Sequence, residues 1–191
     1  MDDNKQQPCR DTRSEMEAEV AACRALFEKK TRDYGTSWRI LRLPSLTDQI
    51  FIKANRIRSI QESGENRVGD GVRGEFVAMV NYATMALVQQ ELEGSDAPLE
   101  LSLEETLSLY DKHIGLTITL MLDKNHDYGE AWRQMRISSM VDLILMKLMR
   151  IKQIEDNDGR TLVSEGVEGG YMDIINYSLF CLVRLTEGEE K

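Results

Sequence analysis

The sequence predicts an all-α protein, a pseudo-symmetric helical bundle built from two tandem three-helix repeats. The chain repeats itself. Lys30, Asp33-Tyr34-Gly35, Trp38-Arg39, Arg42, Ser45, Asp48, Ile50, Lys53, Arg56-Ile57 and Ile60 return at a shift of 94 (Lys30 to Lys124). The second copy reads Lys124, Asp127-Tyr128-Gly129, Trp132-Arg133, Arg136, Ser139, Asp142, Ile144, Lys147, Arg150-Ile151 and Ile154. One extra loop residue then moves the shift to 95, and Gly71-Val72, Gly74, Asn81-Tyr82 and Leu87-Val88 return as Gly166-Val167, Gly169, Asn176-Tyr177 and Leu182-Val183. Prolines are nearly absent from the repeats, since two of the three, Pro8 and Pro98, lie outside them. No stretch shows the period-two alternation of a half-buried strand.

The elements follow in order. Residues 1–12 are polar and read as a disordered tail, 13–92 as the first repeat, 93–101 as a linker and 102–187 as the second repeat, the whole forming one compact unit. Thr12 and Glu15 have the spacing of a capping box. The first helix then runs to about Thr31, with Met16, Val20, Cys23 and Phe27 at helical spacing. Asp33-Tyr34-Gly35 reads as the turn that ends it, because glycine tolerates positive φ. Pro44 suits a first helical turn, so a second helix is expected from about Ser45 to Glu62, a glycine-rich loop over 63–71, and a third helix from about Val72 to Glu91. Gly94, Ser95, Asp96 and Pro98 mark the linker. Ser102 and Glu105 repeat the capping pattern. The copy then gives a helix to about Lys124, one from about Ser138 to Asp156 and one from about Gly166 to Thr186.

Composition limits the function. Apolar residues make up 41% and charged residues 30%, enough to build a core in a soluble chain. A net charge of −9 argues against nonspecific binding to duplex DNA, which depends on neutralising phosphates. It leaves room for a small phosphorylated ligand on a local basic cluster. Cys9, Cys23 and Cys181 are odd in number and scattered, so they read as reduced thiols of a cytoplasmic protein. The polar, acidic N-terminus lacks a signal-peptide apolar region, and the apolar run near Ile114–Leu122 is far short of the ~20 residues a bilayer needs.

Matched charges are harder to explain as packing than matched apolar residues, and they define the candidate site. On the middle helix of the second repeat, Ser139, Asp142, Lys147 and Arg150 fall within one broad arc at 100° per residue, among apolar residues that read as buried all round. The plainer reading is a salt bridge of Asp142 with Lys147 or Arg150. The sharper one is a pocket whose charges meet phosphate or metal. Lys124, Arg133 and Arg136 suit phosphate oxygens, arginine in bidentate fashion. Tyr128 or Trp132 suits stacking on a base, although a lone tryptophan also plugs a core. Glu165, Glu168 and Asp173 supply hard oxygen ligands of the type Mg²⁺ takes alongside substrate phosphates. Asp173 with Asn176 and Tyr177 at i+3 and i+4 looks more site-like than Glu165. Asp127 joins these candidates. Arg73 stands at the position of Glu168, and Ala78 at that of Asp173, so the second repeat is the better site. His113 and His126, matched by Glu19 and Arg32, receive no role.

Three patterns carry a resemblance: Lys-x-x-Asp-Tyr-Gly-x-x-Trp-Arg (Lys124 to Arg133), Asp-x-x-x-x-Lys-x-x-Arg-Ile (Asp142 to Ile151) and Asp-x-x-Asn-Tyr (Asp173 to Tyr177). Together they resemble the nucleotide modification associated domain 1 family over nearly the whole chain. The resemblance implies a helical protein of bacteria or phages acting around modified nucleotides or nucleic acid. More loosely, the chain is similar to MazG-type all-α nucleoside triphosphate pyrophosphatases, which hold Mg²⁺ with Glu-x-x-Glu and Glu-x-x-Asp on adjacent helices. This sequence departs from that pattern, with Asp142 alone on the middle helix and Glu168-x-x-x-x-Asp173 after it. The expectation is a nucleotide-binding protein, in one version a Mg²⁺-dependent pyrophosphohydrolase. In that version Asp142, Glu168 and Asp173 hold metal, and Lys124, Arg133, Arg136, Lys147 and Arg150 hold phosphates. The alternatives are a non-catalytic nucleotide sensor and a structural adaptor. The partner expected is a small-molecule nucleotide, with no membrane and no duplex DNA; a homodimer is an open option, although two fused units could themselves replace a dimer.

Overall fold

A computed structural model describes residues 11–66, 71–161 and 166–188. The described chain is all-helical, with six α-helices and no strand. They are α1 (Thr12–Tyr34), α2 (Leu43–Ser63), α3 (Arg73–Leu92), α4 (Leu103–Tyr128), α5 (Ile137–Asp156) and α6 (Glu168–Thr186). A short 3-10 turn carrying the tryptophan precedes α2 (Ser37–Ile40) and α5 (Ala131–Gln134).

Most helix ends lie within three residues of expectation, and the differences have physical causes. α1 and α4 run through the Asp-Tyr pairs, so these residues form a last helical turn. The glycine after each pair closes the helix, its N–H donating to Thr31 O or Asn125 O at 2.9 Å. Ser102 and Glu105 form the expected capping box. Thr12 does not. Asp11 caps α1 by accepting from the Arg13 amide, and the buried Thr12 hydroxyl instead donates to Glu130. The predicted disordered tail falls almost wholly on residues 1–10, outside the described residues.

α2, α3, α5 and α6 form the central bundle, with α3 against α6 as its most extensive contact. These two helices are buried on nearly every side, as a helix apolar all round must be. Ala83 and Ala86 on α3 and Ser178 and Cys181 on α6 are small and fully buried, which lets the two backbones approach closely. α1 and α4 lie outside this pair and cross between repeats: α1 packs on α6, α3 and α4, and α4 packs on α3, α1 and α6. α5 is not buried all round. Met140, Ile144, Leu148 and Ile151 form its inner stripe, while Met146 and Met149 face solvent. Cys23 and Cys181 are free and buried, and burial pushes the Cys23 thiol up to about 12, which keeps it protonated and inert.

One polar cluster joins the halves. Thr47 Oγ1 lies 2.7 Å from both Glu155 Oε1 and Tyr171 OH, and the Tyr171 hydroxyl donates to Glu155 at 3.1 Å. Burial raises the Glu155 carboxyl above its ordinary value and outweighs the lowering effect of the Thr47 and Tyr171 hydroxyls, with Asp48 and Asp156 raising it further.

Two predictions follow from this packing. Leu148 is fully buried, so Leu148→Ala is expected to cost about 2–5 kcal/mol of stability in a denaturant titration. Glu155 has a raised folded-state pKa. Its penalty is absent below its unfolded value of 4.5 and grows as pH rises through the folded value. Glu155→Gln keeps an acceptor for both hydroxyls. It is expected to leave the Tm unchanged near about pH 4 and to raise it near about pH 8. An equal effect at both pH values would contradict the assignment.

Candidate functional site

Lys124 projects from the last turns of α4, Lys147 and Arg150 from α5, and Asp173 from the second turn of α6. Lys147 Nζ meets Asp173 Oδ2 at 2.6 Å, and Lys124 Nζ lies 3.5 Å from Asp173 Oδ1. This cluster separates two cavities that share Lys124 and Asp173.

The narrower cavity, of about 280 Å³, is basic and glycine-lined. Lys124, Lys147 and Arg150 supply three cations, and Gly166, Gly169 and Gly170 surround the start of α6. Val167 offers no side-chain cap to that helix, so its first amide N–H groups lack intrahelical partners. Such amides favour an anion, as the helix dipole also does. A Cβ at Gly166 would meet nothing within 4 Å, which marks open space just before the helix start.

The first repeat shows what this space is missing. Lys53 and Arg56 stand where Lys147 and Arg150 do, and Glu75 stands where Gly170 does. Glu75 is buried and neutralises both cations, pairing with Lys53 at 3.2 Å and with Arg56. In the second repeat that carboxylate is absent. Asp173, one turn further along α6, compensates Lys147, and Arg150 has no carboxylate partner among the described residues.

The wider cavity, of about 570 Å³, is more apolar and is lined on its aromatic side by Tyr128, Trp132, Tyr177 and Phe180. Asp127 lines its rim and faces solvent. Asn176 is buried within the cavity wall, and its Oδ1 has no hydrogen-bond partner. The matching Asn81 is satisfied, accepting from Tyr110 OH at 2.8 Å and donating to Cys23 O at 3.2 Å. Met16 matches Tyr110 in the repeat register, so the counterpart of the hydroxyl that satisfies Asn81 is absent. Burial, with the Asp173 charge beside it, raises the Tyr177 hydroxyl and keeps it protonated as a donor.

Several expected roles are not met by this geometry. Trp132 is 5% exposed, with Phe180 stacked on it at 4.4 Å and the Arg133 guanidinium over it at 4.3 Å. It has no free face for a base and serves the core. Tyr128 is exposed and Tyr177 half-buried, so both remain open to a ligand. Arg133 is committed to Glu15, to Glu130 at 2.6 Å and to Glu187 at 3.2 Å, and is withdrawn from phosphate. Arg136, at the start of α5, is exposed and lines neither cavity. Asp142 turns outward with its side chain 64% exposed, 3.7 Å from Arg58, and pairs with neither Lys147 nor Arg150. Glu168 is exposed and lines neither cavity, and Glu165 lies outside the described residues. Asp142, Glu168 and Asp173 therefore do not assemble, and among the described residues no three metal-ligating side chains gather. The glycines at the start of α6 were missed as site residues, although the shift of 95 already sets Gly170 opposite Glu75.

The family model for nucleotide modification associated domain 1 matches residues 30–90 and 124–185, together well over half of the chain. The chain belongs to that family. Each matched region begins at the lysine of the Lys-x-x-Asp-Tyr-Gly motif, so the family unit comprises the helix end, the 3-10 turn and the two central helices. Most of α1 and α4 lies outside it. No curated protein and no solved structure matches the chain, and the looser MazG-type similarity finds no support there.

The charge arrangement separates two roles for Asp173. If it serves to hold Lys147 in place of a ligand anion, Asp173→Asn is expected to tighten binding of inorganic phosphate, measured by calorimetry without added metal. A metal-holding Asp173 predicts weaker phosphate binding that depends on Mg²⁺ in the parent protein.

Proposed function

We propose that the chain is a nucleotide-binding module whose working site is in the second repeat. The phosphates occupy the narrow cavity on Lys147, Arg150 and Lys124, within reach of the α6 amides. The base and sugar occupy the wide cavity, where Tyr128 offers a stacking face, Tyr177 a donor and Asn176 Oδ1 an acceptor. The observation that carries this reading is the replacement of Glu75 by Gly170. Where the first repeat supplies its own carboxylate to a lysine–arginine pair, the second supplies a vacant, amide-lined space of similar charge preference.

Family membership supports a role connected with nucleotide modification, as the family's description has it. It does not single out binding or hydrolysis. Mg²⁺-dependent pyrophosphate release is the weaker version of the reading. Of its three metal carboxylates only Asp173 reaches the cavities, and two lysines already hold it. That donor set does not fit a resident Mg²⁺. A metal carried in on the ligand's own phosphates needs few protein oxygens, and binding with and without Mg²⁺ distinguishes this.

The test is a thermal-shift screen against ribo- and deoxyribonucleoside mono-, di- and triphosphates, with phosphate and pyrophosphate release read in the same wells. Ligand at about 100 times its Kd adds about 2.7 kcal/mol of apparent stability, a rise of several degrees. Gly170→Glu imports the first repeat's carboxylate. A Cβ there meets Cδ1 and Cγ1 of Ile151 at 2.9 Å, so the Ile151 side chain must shift to admit it; Ile57 stands at the position matching Ile151 in the repeat that carries Glu75. The variant is expected to fold and to lose the nucleotide shift, as are Arg150→Ala and Lys147→Met. A shift that survives in all three variants, or no shift from any nucleotide, would defeat the proposal.

A further inference from the structure

The first repeat has an open site of its own, built on an arginine that the second repeat neutralises. Arg39 matches Arg133, and the burial pattern keeps the same register in the preceding helices: Met16 with Tyr110, Glu19 with His113, Cys23 with Thr117, Phe27 with Met121. Arg133 is met by Glu15, Glu130 and Glu187. The corresponding positions in the other half hold Leu109, Thr36 and Leu92, none of which carries a charge. Arg39 is only 7% exposed, yet its Nε and Nη1 are buried without any hydrogen-bond partner. A guanidinium withdrawn from water without an anion is costly, and its donor geometry matches a carboxylate.

Arg39 lines a cavity of about 420 Å³ between the first 3-10 turn, the start of α2 and the end of α3. Its other polar groups have the opposite preference. Gln89 Oε1 and Gln90 Oε1 are buried acceptors with no donor. The Gln89 amide cannot turn freely, because its Nε2 donates to Arg39 O at 3.2 Å and to Leu41 O at 3.4 Å. The Glu93 carboxylate stands at the rim, just past the C-terminal end of α3, where the helix dipole also favours positive charge. Ile40 and Leu43 add an apolar wall, and Ile40 is 77% exposed. The lining thus combines a guanidinium that calls for a carboxylate, acceptors and a carboxylate that call for an ammonium, and apolar side chains.

We propose that this cavity binds a free amino acid with an apolar side chain, its carboxylate on Arg39 and its ammonium at Gln89, Gln90 and Glu93. The site is independent of the nucleotide reading, and a protein that binds no nucleotide leaves it intact. Titration calorimetry on the full chain with L-leucine, L-methionine and L-phenylalanine tests it. The controls are 4-methylpentanoate, which lacks the amine, isopentylamine, which lacks the carboxylate, N-acetyl-L-leucine, and inorganic phosphate. At least one amino acid is expected to bind, and to bind better than every control. Arg39→Met is expected to weaken that binding by roughly tenfold or more, the value of a lost charged hydrogen bond. Leu92→Glu, which places a carboxylate where Glu187 stands, is expected to do the same while raising the Tm; it serves if Arg39→Met does not fold. The proposal is overturned if none of the three amino acids binds, or if N-acetyl-L-leucine or phosphate binds as well as they do. It is equally overturned if binding survives in folded variants.

Discussion

A basic side chain drawn out of water must be met by an anion, and how far each repeat meets its arginines and lysines sets the character of the cavities; Arg150 alone among them is exposed. Arg56 with Lys53 is met by Glu75, and Arg133 by Glu15, Glu130 and Glu187. Their counterparts are met incompletely or not at all. Lys147 has Asp173, while Arg150 and Arg39 have no carboxylate among the described residues. Pairs of this kind contribute little when exposed and much more when one partner is removed in a buried setting. The difference between a filled and an open position is therefore a difference in what the protein can still bind.

The duplication makes this comparison possible within one molecule. In a symmetric dimer every arginine of a kind sees the same carboxylates. In a fused chain the two copies are free to differ, and here they differ in complementary ways. The first repeat closes the lysine–arginine position beside its last helix with Glu75 and leaves Arg39 open. The second closes Arg133 and leaves Lys147 and Arg150 beside Gly170. Neither open position is a simple loss of residues. Asn176 keeps its amide where Asn81 does, but Met16 in place of Tyr110 leaves the acceptor unspent, and Asp173 in place of Ala78 adds a charge the first repeat lacks.

Much of the fold was legible because a repeat of polar and apolar positions at a constant shift fixes both helix phase and turn chemistry. The glycines that end α1 and α4, the Ser102 cap and the middle helices follow from local rules. Less was legible about which charged residue faces which neighbour. Asp142, Lys147 and Arg150 share a broad arc on α5, yet the arc spans enough rotation that Asp142 turns to solvent while Lys147 reaches α6. The commitment of Arg133 to Glu15 and Glu187 depends on α1 crossing onto α6, a long-range contact that no spacing within a repeat reveals. Trp132 looks like a stacking platform in the motif, but the neighbours that cover it include Phe180, about 50 residues away in sequence.

That crossing also explains why the repeats cannot be understood as independent domains laid end to end. α1 belongs by sequence to the first repeat, but its acidic face serves the second. Glu15 neutralises Arg133, and the buried Glu19 accepts from Thr186 on α6 as well as from Arg73 on α3. Thr12, at the start of the same helix, bonds Glu130. The second repeat's first helix cannot return the favour in kind, since α4 carries Leu109 and His113 at the positions of Glu15 and Glu19. The asymmetry of charge thus has two sources: α1, which lies largely outside the family unit and brings Glu15 to Arg133, and the differences within the unit at Glu75 and Gly170 and at Ala78 and Asp173. A shared two-helix scaffold provides the basic residues, and carboxylates from within it and from the helix crossing it together decide which of them remain available to a ligand.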